Sequence, residues 1–221
     1  MSPDDFALIQ PDLRPTEIAL RQVLIAPNEP VGMLFFPESG ITSITTDHES
    51  GRIEIGLIGR EGVVGAAPVL LGSDRTPYRH FIQTAGEVLS IEAGALSAAV
   101  ARSRTLQDLL LRFVQVQLVQ TAQTAFANAT FTTDVRLARW LLMYHDRVDG
   151  NELTVTHEFL AVMLGVQRTG VTVALQSLET KGLIRGRRAR VEVLDREQLE
   201  VMAGDSYGTA EAEYVRLIGQ P

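Results

Sequence analysis

Short runs of alternating apolar and polar residues fill the first hundred positions. "ITSITT" (41–46) and "RIEIGLIG" (52–59) alternate, the second placing Ile53, Ile55 and Leu57 on one face of a strand. "HFIQTAGEVLSIEA" (80–93) carries two further strands around an Ala85–Gly86 turn. Turn chemistry recurs at "FPESG", "ESGR", "GREG" and "GSDRTP". Several short strands at regular spacing predict a β-sandwich or barrel up to about Ala101.

The period then changes. "TLQDLLLRFVQVQLVQTAQTAFANAT" (105–130) contains no Gly or Pro and predicts one long helix. It carries two apolar stripes at 3–4 spacing: Leu106, Leu109, Phe113 and Val116, then Leu111, Val114, Leu118, Thr121 and Ala125. One stripe can pack on the β domain, and the spare seam suits a dimerisation helix. Burial of both stripes within one chain is the alternative. "DVRLARWLLMYHDRV" (134–148) predicts a second helix, ended by "DGN".

A compact helical unit follows from Leu153. Thr156 is placed to N-cap a helix with Glu158 in its first turn, where the helix dipole favours an acid. That helix buries Phe159, Leu160, Met163 and Leu164, and Gly165 is the turn residue. A new helix runs from near Gln167 to Lys181, where Gly182 stops it. "LIRGRRARVEVL" (183–194) predicts a β-hairpin with Gly186 at its tip. The tail "YGTAEAEYVRLIGQP" predicts a short helix packed through Tyr214, Leu217 and Ile218.

Composition narrows the classes. The 221 residues are 45% hydrophobic and 21% charged, ordinary for a globular chain. The absence of cysteine excludes disulfides, thiol catalysis and cysteine-held metals. The histidines, His48, His80, His145 and His157, are scattered. No apolar run approaches the ~18 residues of a membrane span. The acidic start lacks the basic and apolar regions of a signal peptide, so a cytoplasmic protein without a membrane partner is expected.

The net charge of −7 argues against nucleic acid, but the footprint of such binding is local. Between Gly165 and Arg190 lie Arg168, Lys181, Arg185, Arg187, Arg188 and Arg190 against the single Glu179, a net +5 in 26 residues. With Arg168 at 0° on a helical wheel, Thr172 falls near ~40°, Gln176 near ~80° and Thr169 near ~100°. Val171, Ala174, Leu175 and Leu178 fall between about 240° and 340°, a separate apolar stripe. Small hydrogen-bonding residues with one arginine at the N-terminal end suit a major groove. Arg can reach guanine O6 and N7, and Thr methyls can meet thymine. The arginines around Gly186 form a basic wing fit for phosphates. A solvated face is the bland alternative for such a charge run.

"LTVTHEFLAVMLGVQRTGVTVALQSLETKGLI" resembles the helix-turn-helix of the catabolite-activator/fumarate-nitrate-regulator (Crp–Fnr) family of bacterial transcription regulators. "FFPESGITSI", "EIGLIGREGVVG" and "LLGSDRTPYRHFIQTAGEVLSI" resemble that family's cyclic-nucleotide-binding-type β-roll, so the resemblance spans nearly the whole chain. It implies an α+β fold: a β-roll sensor domain over 1–104, a dimerisation helix over 105–130, a winged helix-turn-helix over 131–204 and a helical tail over 205–221. The implied partners are double-stranded DNA, a second copy of the chain and, for an activator, RNA polymerase. Gln167, Arg168, Thr169 and Thr172 are the candidate base-facing residues, and Arg187 and Arg188 the candidate phosphate contacts.

The departures bear on an effector. Gly65 matches the family's phosphate cassette, but Ala66 stands where a glutamate holds the ribose hydroxyl. Arg75 and Thr76 match the phosphate clamp, followed by Pro77, which lacks an N–H. Thr121 falls where a helix hydroxyl meets the ligand base. No cofactor is therefore assigned, and Ala66 and Pro77 disfavour a cyclic nucleotide. In the recognition helix Arg168 matches a base-contacting arginine, whereas Thr169 replaces an acid and Val173 a later arginine. An enzyme is not expected: in "HEFLA" Ala161 occupies the second histidine position of a zinc H-E-x-x-H pair, and no P-loop is present. Haem sensing through His80 is a further reading. The remaining rival is a sensor or interaction protein that keeps this fold, takes a small ligand in the roll and does not bind DNA.

Overall fold

The alternating segments form strands, and the uninterrupted 3.6-residue period forms the long helix. The computed structural model describes residues 1–48 and 51–219, so part of the turn expected at "ESGR" lies outside the described residues. In chain order the elements are α1 (Pro3–Ile9), β1 (Arg14–Ile18), β2 (Val23–Ile25), β3 (Met33–Pro37), β4 (Ile41–His48), β5 (Gly51–Ile58), α2 (Ala66–Leu70), β6 (Arg79–Thr84), β7 (Gly86–Glu92), α3 (Ala93–Arg102) and α4 (Arg104–Thr130). The C-terminal part adds α5 (Thr133–His145), β8 (Glu152–Thr154), α6 (His157–Leu164), α7 (Arg168–Thr180), β9 (Ile184–Arg187), β10 (Arg190–Val193), α8 (Arg196–Ala203) and α9 (Thr209–Leu217). This is the expected α+β roll, long helix and winged helix-turn-helix.

Packing divides the chain into two units. One takes Met1–Ile44, Ile58–Leu118 and the chain from Ala212; the other takes Thr45–Leu57 and Val119–Glu211. The strands form sheets in the orders β1-β7-β3 and β2-β6-β4-β5. β6 and β7 are consecutive in sequence yet sit in different sheets. In the first unit Leu34, Ile82, Ile91, Leu96 and Leu106 are wholly buried in one core. Asp5 anchors α1 there, accepting hydrogen bonds from Ser103 Oγ (2.5 Å) and Thr105 Oγ1 (2.8 Å). The tail packs in the same unit through Tyr214 and Ile218, and the Tyr214 hydroxyl donates to the Glu61 carbonyl at 3.2 Å.

Three expectations are corrected. On α4, Val114 is buried in the core of the first unit instead of completing an outward seam, while Leu118 is 60% exposed. On β5 the alternation breaks: Ile53 is 40% exposed and Glu54 is buried at 4%. In the wing Gly186 is not the tip. It pairs with Val191 inside the ladder, and the turn is made by Arg188 and Ala189, the latter at φ +57°. The Gly186 N–H donates to the Glu179 carboxylate on α7.

Candidate nucleic-acid interface

Local sequence explains the helix-turn-helix. Thr156 is extended, and its Oγ1 accepts from Phe159 N–H at 3.2 Å, satisfying an orphan donor of α6. Gly165 ends α6 in the left-handed region at φ +62°, which a residue with a side chain occupies only with strain. Gln167 is extended at the N-cap of α7. α6 and α7 meet at 104°, within the range of DNA-binding helix pairs. Val171, Ala174, Leu175 and Leu178 are buried as their period requires, and α7 packs on α5 and α6.

The opposite face of α7 is open. Gln167, Arg168, Thr169, Val173 and Gln176 are exposed and Thr172 is half-buried. The Thr172 hydroxyl donates to the Arg168 carbonyl at 3.1 Å and lies 3.2 Å from His157 Nδ1, which leaves its methyl for apolar contact. Arg168 Nη1 lies 3.2 Å from Glu158 Oε1, both side chains being well exposed. Thr133, Asp134, Thr169, Gly170, Val173 and Ser177 line a groove of about 510 Å³ between the start of α5 and the open face of α7. A hydrogen bond from the Thr132 hydroxyl holds the Asp134 carboxyl below the usual carboxylate range, so this wall is anionic.

The wing sheet has the order β8-β10-β9. Its register sets the charge pairing. Glu192 lies opposite Arg185 and accepts from Arg185 (3.2 Å) and Arg187 (3.4 Å), while Glu152 accepts from Arg190 (2.9 Å). Arg188, at the tip, has no ion pair among the described residues. These pairs are exposed and worth little each, so phosphates can compete for the same guanidinium groups. Sequence reasoning gave His157 and Glu192 no role at the interface and read Glu158 only as a first-turn acid of its helix. The helical period would have placed the first two beside α7; Glu192 needed the strand register.

The candidate effector residues have structural roles of their own. Gly65 caps α2 at φ +89°, where a Cβ would lie 3.1 Å from Ile25 Cδ1 and 3.3 Å from Val31 Cγ1. Arg75 is exposed and pairs with Asp74 at 2.8 Å. Thr76 is buried, and its carbonyl accepts from Asn28 N–H at 2.7 Å. Val31 N–H donates to the Asp74 carbonyl at 2.7 Å, so Val31 lies between the Gly65 and Arg75 loops. Thr121 is exposed on α4, among the residues of the other unit. His80 is buried on β6, which pushes its imidazole down to about 4.

A capped helix, a left-handed glycine, a second helix with a polar outer face and a basic hairpin together make a winged helix-turn-helix DNA-binding unit. Residues 135–202 match the family of Crp-like helix-turn-helix domains. The CRP-like cAMP-activated global transcriptional regulator of Mycobacterium tuberculosis is 27% identical over 209 residues, covering 90% of this chain and 92% of that protein. The global nitrogen regulator of Nostoc sp. is 24% identical over 181 residues, 78% of this chain and 81% of that one. The crystal structure of a Crp/Fnr-family transcriptional regulator from Eubacterium rectale superposes with a TM-score of 0.72 at 18% identity, covering 92% of this chain and 95% of that one, a shared fold. The chain is a DNA-binding transcription regulator that carries a Crp-like helix-turn-helix domain.

Proposed function

We propose that the protein binds a near-palindromic operator as a homodimer, each copy placing the N-terminal half of α7 in a major groove. The observation that carries this is the open face formed by Gln167, Arg168, Thr169 and Thr172, with Arg188 at the tip of the wing. Arg168 reads a guanine edge; Thr169, Thr172 and Gln167 fill the groove beside it. Arg187 and Arg188 hold phosphates. Dimerisation uses α4: Leu118, Ala122, Ala125 and Ala129 are exposed at alternating 4 and 3 spacing and leave one seam for a second copy. Half-sites about one helical turn apart follow from the two-fold axis. The setting is the cytoplasm, and for an activator the further partner is RNA polymerase.

Gly65, Arg75 and Thr76 in the roll, and Thr121 on α4, are the residues to test for an effector. Ala66, Pro77 and the Asp74 partner of Arg75 argue against a cyclic nucleotide. Selection of bound fragments from random duplex DNA, with and without cyclic nucleotides, tests both points. Enrichment of a two-fold-symmetric sequence, equal in both arms, is expected. No enrichment at low salt overturns the DNA reading.

A further inference from the structure

The exposed Ile53 and buried Glu54 on β5 break the strand's alternation, and their surroundings give the break a purpose. Residues Thr45–Leu57 pack with the DNA-binding helices. Glu54 Oε1 accepts from Trp140 Nε1 at 2.7 Å, with both residues buried. The Trp140 ring meets Phe159, in the first turn of α6, edge-on at 6.3 Å. At the other end of α6, Ile53 lies against Gly165, where a built Cβ would sit 3.2 Å from Ile53 Cδ1 and Cγ1. Leu57 N–H donates to Gln120 Oε1 at 2.7 Å, fixing the same strand to α4. So β5 reaches α6 at both ends: at Phe159 through Glu54 and Trp140, and at the turn through Ile53. α6 in turn supports α7.

We propose that Glu54 is a positioning residue for operator recognition, acting through Trp140 on the pose of α6 and therefore of α7. A carboxylate buried in this place costs desolvation, and a hydrogen bond to the indole N–H offsets part of it. A leucine would satisfy the strand's apolar face at lower cost. A carboxylate gives a directional contact that fixes the indole ring, which in turn fixes the first turn of α6. Discrimination between sequences depends on placing Arg168 and Thr172 against base edges, so it is sensitive to small shifts of α7. Phosphate contacts from flexible arginines tolerate such shifts.

This inference rests on the DNA-binding reading, and the test separates the two. Affinity is measured for the selected operator and for random duplex with wild type, Glu54→Ala, Glu54→Gln, Trp140→Phe and the double variant Glu54→Ala/Trp140→Phe. Glu54→Ala and Trp140→Phe are each expected to weaken operator binding about tenfold while random-duplex binding and the salt slope stay as in wild type. The double variant should lose no more than either single, because one interaction is removed in all three. Glu54→Gln keeps the acceptor oxygen and should restore operator binding. Trp140 is the sole tryptophan, so its emission maximum should move in Glu54→Ala and not in Glu54→Gln. Wild-type operator binding by Glu54→Ala, or equal losses on operator and random duplex, overturns the proposal. A wild type that binds no DNA instead overturns the reading beneath it.

Discussion

Glu158, in the first turn of α6, holds the guanidinium of Arg168, the first residue of α7, at 3.2 Å across the helix-turn-helix. Both side chains are mostly exposed, so the pair is weak in water and can open in a groove. Arg168→Ala should cost ~1–3 kcal/mol at the operator and relax preference at one base pair, with random DNA little affected. Glu158→Gln should strengthen operator binding by freeing the arginine, and should raise affinity for every sequence modestly by removing a negative charge beside α7. Fluorescence anisotropy on operator and random duplex reads both; equal losses on the two duplexes for Arg168→Ala would contradict a base-reading role.

The wing makes a different demand. Arg188 at the tip is unpaired among the described residues, whereas Arg185 and Arg187 share Glu192. Arg188→Ala is expected to weaken all sequences alike and to lower the salt slope by about 1. Arg187→Ala should do the same less strongly, because part of its charge is already offset. Glu192→Gln should strengthen binding and steepen the slope by releasing both arginines. A titration over salt concentration checks the order of these three variants.

The stripe of Val171, Ala174, Leu175 and Leu178 was readable because burial on a helix repeats with a local period, and all four are buried. Strands β4 to β7 were readable as elements from alternation, whereas β1 to β3 were not singled out and the inward face of β5 was not the one expected. What escaped depends on partners distant in sequence. Glu54 turns inward because Trp140, 86 positions away, supplies a donor. The local charge excess around Arg185 is partly offset by Glu192 and Glu152, which face it only once the strand register is set. Gly186 suggested a hairpin tip by type, yet Glu179 and Val191 hold it in the ladder while Ala189 takes the left-handed turn.

His80 gives a pH test that is independent of DNA. Its imidazole is buried on β6, Nδ1 has no hydrogen-bond partner among the described residues, and desolvation pushes it from 6.5 down to about 4. Between these values the unfolded chain binds a proton that the folded chain refuses. The stability this residue allows is complete above pH 6.5 and declines as the pH falls toward 4, by roughly 3 kcal/mol in total. His80→Leu should flatten that part of the acid limb. Urea denaturation of the two proteins at pH 7, 6 and 5 reads the difference. Parallel pH profiles would mean that His80 is not buried as a neutral group.

Leu118 tests the assembly. It is 60% exposed on α4, and Ala122, Ala125 and Ala129 continue its seam while Val114 turns into the core. Nothing in a single copy requires a leucine there, so Leu118→Glu should leave the far-ultraviolet circular dichroism and the unfolding midpoint of the monomer unchanged. In a two-fold pair the same substitution sets two carboxylates against an apolar seam, where the cost of burying charge exceeds what one leucine contact contributes. The variant should run as a monomer in light scattering at concentrations where the wild type is a dimer. It should also lose most operator affinity, because one half-site alone forfeits the second copy's contacts. A Leu118→Glu protein that stays dimeric would place the interface elsewhere than on this face of α4.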